Sequence, residues 1–170
     1  MQVFTMQLQN RSLGVDDTRA AWLEALQSVA DPQAPTMQAL DAIRSYHAHI
    51  YYDTARTRGV AEALRARIGE RFRVQMGRWH DAPVGPHSAA MYQVAFGTAL
   101  FASFVPWLML NRTGLDVLVH PNTLAPRDDH LQHALWLGHV LPLHEDVLPV
   151  RIAADQESPI EPNTAPTLAR

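Results

Sequence analysis

An α+β fold of order βαββαβ is predicted for the middle of this chain by three features. Four short segments alternate apolar and polar residues, the period of a strand with one buried face. Two longer segments carry apolar residues at helical spacing. The two kinds follow one another as strand, helix, strand, strand, helix, strand, the split βαβ order of ferredoxin-like domains. With 170 residues, 47% of them hydrophobic and 18% charged, the chain suits one domain with a substantial core.

Taken in order, residues 1–43 read as an N-terminal helical extension. Asp16 or Asp17 can cap a helix running to about residue 30, with Ala21, Trp22, Ala25, Leu26 and Val29 as its stripe, and Asp31-Pro32 stops it. A short second helix is expected over 36–43. The domain proper spans 44–150. Residues 45–52 form the first strand, and Asp53 caps a helix over 54–70 with Ala61, Leu64, Ala66 and Ile68 inward. Residues 72–76 alternate strictly and form the second strand, followed by a loop from Gly77 to Pro86 rich in turn residues. Residues 91–96 give the third strand. Residues 98–111 give an apolar helix disturbed at Pro106, and residues 115–120 the fourth strand. Residues 151–170, rich in Pro, Glu, Asn and Thr, read as a disordered tail.

Strand parity then sorts the side chains, because alternate residues share a face. Tyr46, Ala48, Ile50 and Tyr52 project to the helices with Phe72, Val74, Met76, Tyr92, Val94, Phe96, Leu115, Val117 and Val119. The helix-free face receives His47, His49 and Tyr51 from the first strand, Gln93 from the third, and Asp116, Leu118 and His120 from the fourth. In the strand order 4-1-3-2 of ferredoxin-like sheets, His120 lies beside His47 and His49. His87, entering the third strand, can point at the same place. Two imidazoles side by side on a strand either begin a metal site or are two polar residues on a solvated face. A shared ion needs ring nitrogens at about 2.0–2.2 Å from it. His87 reads as a fourth ligand or as a general acid/base. Tyr51 and Gln93, on the same face, can contact a substrate. Arg78 and Arg112 can hold a substrate carboxylate in two-point fashion, or form structural ion pairs. His130 and His133, three residues apart, read as a solvated helical face near a cap at Asp128 or Asp129. No carboxylate completes the common two-histidine, one-carboxylate pattern. Asp116 lies about 13 Å along the strand from His120, and Asp53 serves as a cap. The exposed Tyr51, Met91 and Leu118 call for a cover, either residues 134–138 or the sheet of a second subunit in a homodimer.

Composition narrows the chemistry further. The chain has no cysteine, which excludes disulfides, thiolate nucleophiles and Cys-ligated metals. It also has no lysine, so Schiff-base catalysis and a P-loop lack their usual residue. Nine histidines remain for chemistry near neutral pH. A net charge of −3 offers no broad basic footprint for nucleic acid. No apolar run reaches the length of a membrane span, and the first ten residues do not read as a signal peptide, so a cytoplasmic protein is expected.

Six stretches, in order, resemble the DOPA 4,5-dioxygenase family: Ser45-Tyr-His-Ala-His-Ile-Tyr-Tyr-Asp53, Val84-Gly-Pro-His87, Met91-Tyr-Gln-Val-Ala-Phe96, Val105-Pro-Trp-Leu-Met-Leu-Asn-Arg112, Leu115-Asp-Val-Leu-Val-His-Pro121 and Ala134-Leu-Trp-Leu-Gly138. The likeness covers residues 44–145. It implies a ferredoxin-like dimer and a non-haem extradiol dioxygenase acting on DOPA or a related catechol with O2. With the strand reading it implies a metal held by His47, His49 and His120, expected to be Fe(II), with Zn(II) or Ni(II) possible in purified protein. His87 would then move protons. The same residues allow a metal- or small-molecule-binding module without oxygenase activity, or a cofactor-free isomerase or monooxygenase, since this fold hosts unrelated functions.

Overall fold

The computed structural model describes residues 37–168. The helix expected over 16–30 lies outside them, and of the stretch 36–43 only a 3-10 turn at Leu40–Ala42 is described. The elements are β1 (Ser45–Tyr51), α1 (Arg58–Arg71), β2 (Gln75–His80), β3 (Met91–Phe96), α2 (Phe101–Asn111), β4 (Val117–Asn122), α3 (Pro126–Leu131) and β5 (Leu135–Leu137). They form a five-stranded antiparallel sheet in the order β2-β3-β1-β4-β5. The first four strands thus have the ferredoxin-like order, with β5 added at the β4 edge. No helix among the described residues is long and apolar enough to cross a membrane.

The core lies between the sheet and the two long helices. Ala48 and Ile50 of β1, Tyr92, Val94 and Phe96 of β3, and Val117 and Val119 of β4 meet Ala61, Leu64 and Ile68 of α1 and Phe104, Val105 and Leu108 of α2. Phe104 lies 4.9 Å from both Phe72 and Phe96, centroid to centroid, in tilted and edge-on pairs. Each such ring contributes roughly 1.5–3 kcal/mol by its burial. These are the side chains that parity assigns to the helical face.

Several elements differ from expectation. Asp53 does not cap α1. Its Oδ1 accepts the backbone N–H groups of Ala55 and Arg56, both at 2.9 Å, and Thr57 N donates to Asp53 O at 2.9 Å. That closed turn delays the helix to Arg58, and Ala66 faces solvent rather than the core. The second strand begins at Gln75, not residue 72, and runs on to His80. Phe72 and Val74 are nonetheless buried as expected. A bulge separates the pairs Met76↔Val94 and Trp79↔Tyr92, where three steps on β2 oppose two on β3. The extra residue shifts parity, so Trp79 joins the core and Arg78 is thrown outward. Gly77 occupies the bulge because a Cβ there would stand 3.1 Å from Gln93 O. Helix α2 continues through Pro106.

The helix-free face is closed within the chain. Residues 134–138 do not fold over it but extend the sheet as β5. The cover comes from the loop at 84–88, which bridges to Leu143 through His87. His144 N donates to Pro86 O at 2.9 Å and Ser88 Oγ to Pro142 O at 2.6 Å. Beneath it Tyr51, Met91 and Leu118 pack with Trp136, Leu141 and Leu143. The bare face that motivated a second subunit is therefore absent from this part of the sheet.

The C-terminal residues, expected as a disordered tail, are hydrogen-bonded to the sheet edge instead. Val74 N donates to Thr164 Oγ1 and Met76 N to Asn163 Oδ1, each at 2.8 Å, while Asn163 N donates to Val74 O at 3.0 Å. Composition misleads here because proline and polar residues also suit an extended strand cover, which saturates the donors of an edge strand.

Candidate metal centre

Antiparallel register builds the site. His47 of β1 pairs directly with His120 of β4, and His49 lies one pleat further along the same face. The nitrogens of His47, His49 and His120 lie within 4.8 Å of one another, the span of a three-ligand metal site. His49 Nε2 is 3.1 Å from His120 Nε2. His87 arrives from the covering loop, its ring centroid 4.1 Å from that of His49. Tyr51 Oη is 2.7 Å from His87 Nδ1.

A fifth imidazole belongs to the cluster. His130, expected on a solvated face, sits 3.9 Å from His120, centroid to centroid, and with His49 and His87 forms a second three-nitrogen group sharing His49. Helix α3 carries it there. Asp129, expected as a cap, is instead buried and accepts from Thr123 N at 2.9 Å and Thr123 Oγ1 at 2.6 Å, folding α3 back on the end of β4. The turn between them holds Leu124 in the left-handed region at φ 70°, a conformation a bulky apolar residue adopts only when its surroundings enforce it. His133 points to solvent.

Burial keeps all five rings neutral at pH 7. It lowers His47 to about 4 and His87 to about 4, with repulsion from His130 adding in each case. His49 and His120 lie well below the ordinary histidine range for the same reason, reinforced by neighbouring imidazoles, and burial lowers His130. Neutral rings present lone pairs, as metal ligation requires. The bonding partners orient them. His120 Nδ1–H donates to Pro121 O at 2.7 Å and His130 Nδ1–H to Pro126 O at 2.8 Å, which leaves both Nε2 atoms as acceptors. The proton in the His49–His120 contact then belongs to His49 Nε2. His49 Nδ1 is left as a buried lone pair with no hydrogen-bond partner. This neutral, desolvated, nitrogen-only donor set, incompletely satisfied by the protein alone, fits a divalent transition metal.

A cavity of about 360 Å³ opens over the cluster, within the range of small-ligand sites. His47, His120 and His130 line it together with Gln75 and Gln93, whereas His49 and His87 do not. Of the expected substrate contacts, Gln93 is therefore in place. Tyr51 is not. It is buried, stacked on Trp136 at 5.5 Å and committed to His87. Arg78 is exposed on the β2 bulge, and Arg112 donates to Leu115 O at 2.6 Å. Neither lines the cavity. Asp116, just before β4, accepts from His139 N at 2.8 Å and is not among the residues grouped with the imidazoles.

Known proteins share this plan. A crystal structure of a candidate dioxygenase from Nostoc punctiforme superposes with a TM-score of 0.64 at 50% identity, covering 65% of this chain and 96% of that one. An uncharacterized 21.2 kDa protein of Botryotinia fuckeliana is 36% identical over 110 residues, 58% of this chain and 60% of its own. A DOPA 4,5-dioxygenase of Amanita muscaria is 31% identical over 129 residues, 71% of this chain and 57% of its own. The chain thus spans about three fifths of the length of the curated relatives it matches. The profile of the Dopa 4,5-dioxygenase family matches residues 46–147, which contain all five clustered histidines, and the chain belongs to that family.

Proposed function

We propose that the chain is a non-haem, metal-dependent extradiol dioxygenase that opens the ring of DOPA or a related catechol with O2. One observation supports this above the rest: the neutral nitrogens of His47, His49 and His120 gather within 4.8 Å of one another, and His47 and His120 of that set line a cavity large enough for one aromatic ring. Imidazole suits iron, zinc and nickel alike. We assign Fe(II) to the active protein, with Zn(II) or Ni(II) able to occupy the same nitrogens. A bound ferrous ion would supply Lewis acidity and bring catechol and O2 together.

The rest falls to the chain. The carboxamide of Gln93 faces the cavity and can orient a catechol hydroxyl. The covering loop and Trp136 exclude water from the far side of the cluster. His87, neutral and held by Tyr51, takes the role of proton carrier. In the net reaction the carbon–carbon bond beside the diol breaks and both atoms of O2 enter a muconic semialdehyde.

Anaerobic reconstitution with Fe(II), then addition of a catechol and oxygenated buffer, tests the reading. One O2 consumed per yellow product is expected. No turnover of any catechol at full iron occupancy refutes it. Tight metal retention without oxygen uptake would instead mark a binding module. Activity that survives chelation and loss of both His47 and His49 would mark a cofactor-free enzyme.

A further inference from the structure

The segment 152–160 lies beyond the residues matched by the family profile, yet it forms the outer wall of the cavity through Ile152, Gln156, Glu157, Ser158 and Ile160. It is pinned along its length. Ile152 N donates to Leu124 O at 3.0 Å and Glu161 N, just past the segment, to Gln75 Oε1 at 2.9 Å, while Ala153 N donates to Gln156 Oε1 at 2.8 Å and closes a turn within it. In the middle, Arg44 Nη1 bonds Glu157 Oε2 at 3.0 Å. A wall held at both ends and the centre meets a substrate as a fixed surface.

The charge on that surface is one-sided. The side chain of Glu157 is 18% exposed and that of Arg44 45%, so the carboxylate is turned inward and the guanidinium toward solvent. Arg44 and Glu157 both border a neighbouring depression, and of the two only Glu157 also lines this cavity. Asp129, the other charged residue of the lining, is already saturated by Thr123. Among the described residues no arginine lines the cavity. If the catechol hydroxyls face the histidines, a ring substituent that reaches the strap meets Glu157, whose counter-charge, Arg44, does not line the cavity; a carboxylate there would be desolvated beside a like charge. An ammonium there would gain a charge-assisted bond.

The geometry points to segment 152–160 as the specificity wall of the site, with Glu157 favouring catechols whose substituent carries an ammonium group, as that of DOPA does, or no charge, over those whose only charge is a carboxylate. This rests on the dioxygenase reading and names the substrate class for it. The test is calorimetric binding of dopamine, 4-methylcatechol and 3,4-dihydroxyphenylacetate to the full chain loaded with redox-inert Zn(II). Dopamine should bind about tenfold or more tighter than dihydroxyphenylacetate, the scale of one hydrogen bond to a charged group. Glu157→Gln should collapse that ratio. Arg44→Gln, which breaks the same ion pair but keeps the carboxylate, should widen it. Equal binding of the two compounds, or a ratio unmoved by Glu157→Gln, overturns the inference and leaves the dioxygenase reading intact. A ratio collapsed equally by both variants also overturns it, since the pair would then act only as a structural pin. Failure of every catechol to bind the metal-loaded chain refutes the dioxygenase reading and this inference together.

Discussion

Replacing His49 by leucine should stabilise the metal-free protein and destabilise the metal-loaded one relative to the parent. His49 is 2% exposed and its Nδ1 has no partner. A buried acceptor left unsatisfied costs about 1–3 kcal/mol. Leucine at the same strand position removes that cost and adds apolar contact with neighbours such as Leu118, its cross-strand partner. The substitution also removes the bond to His120 Nε2 at 3.1 Å, worth about 0.5–1.5 kcal/mol, but His120 borders the cavity, from which water can replace it. The net gain is about 1–2 kcal/mol, which for a chain of this length raises Tm by roughly 2–8 °C. Metal reverses the order. At a free concentration of 100 times Kd the parent gains about 2.7 kcal/mol, and the variant, lacking the histidine common to both groups, gains close to none. Scanning calorimetry in chelator and then with Zn(II) reads both effects. The reasoning is refuted if the variant melts below the parent in chelator, or if Zn(II) raises both by the same amount.

Other perturbations separate structure from chemistry. His47→Ala and His120→Ala each leave two nitrogens of the His47, His49, His120 group and should reduce metal retained after dialysis, measured by atomic emission, well below one equivalent; full retention in both would place the ion on His49, His87 and His130 instead. Tyr51→Phe removes the 2.7 Å contact to His87 Nδ1. It should cost about 1–2 kcal/mol in denaturant unfolding and slow turnover while leaving metal content unchanged; unchanged turnover would remove His87 from proton handling. Asn163→Ala breaks the 2.8 Å bond from Met76 N and the 3.1 Å bond to Met76 O, with an expected loss of about 1–2 kcal/mol and faster amide exchange at Met76. Gly138→Ala should cost more than about 2 kcal/mol, because φ is 100° there and the new methyl would overlap Asp116 Oδ1 and stand 2.9 Å from Arg112 Nη1; a melting temperature within a degree of the parent would contradict this.

Alternation along β1, β3 and β4 is enough to predict the strands, the core face and the common face of His47, His49, Gln93 and His120, because a pleated backbone sends every second side chain the same way. Composition likewise removes thiolate ligands, since no cysteine is present, and leaves imidazole and carboxylate. Other features depend on contacts between distant residues. The β2 bulge changes the direction of Arg78 by one step, and Gly77 is the one local sign of it. His130 enters the cluster through a bond between Thr123 and Asp129, and Glu157 reaches the cavity wall through Arg44, 113 positions away. Local periodicity reports which side of an element is apolar. It carries no information about where a short helix or an extended strap comes to rest, because that is settled by hydrogen bonds and packing between segments that meet only after the chain has folded.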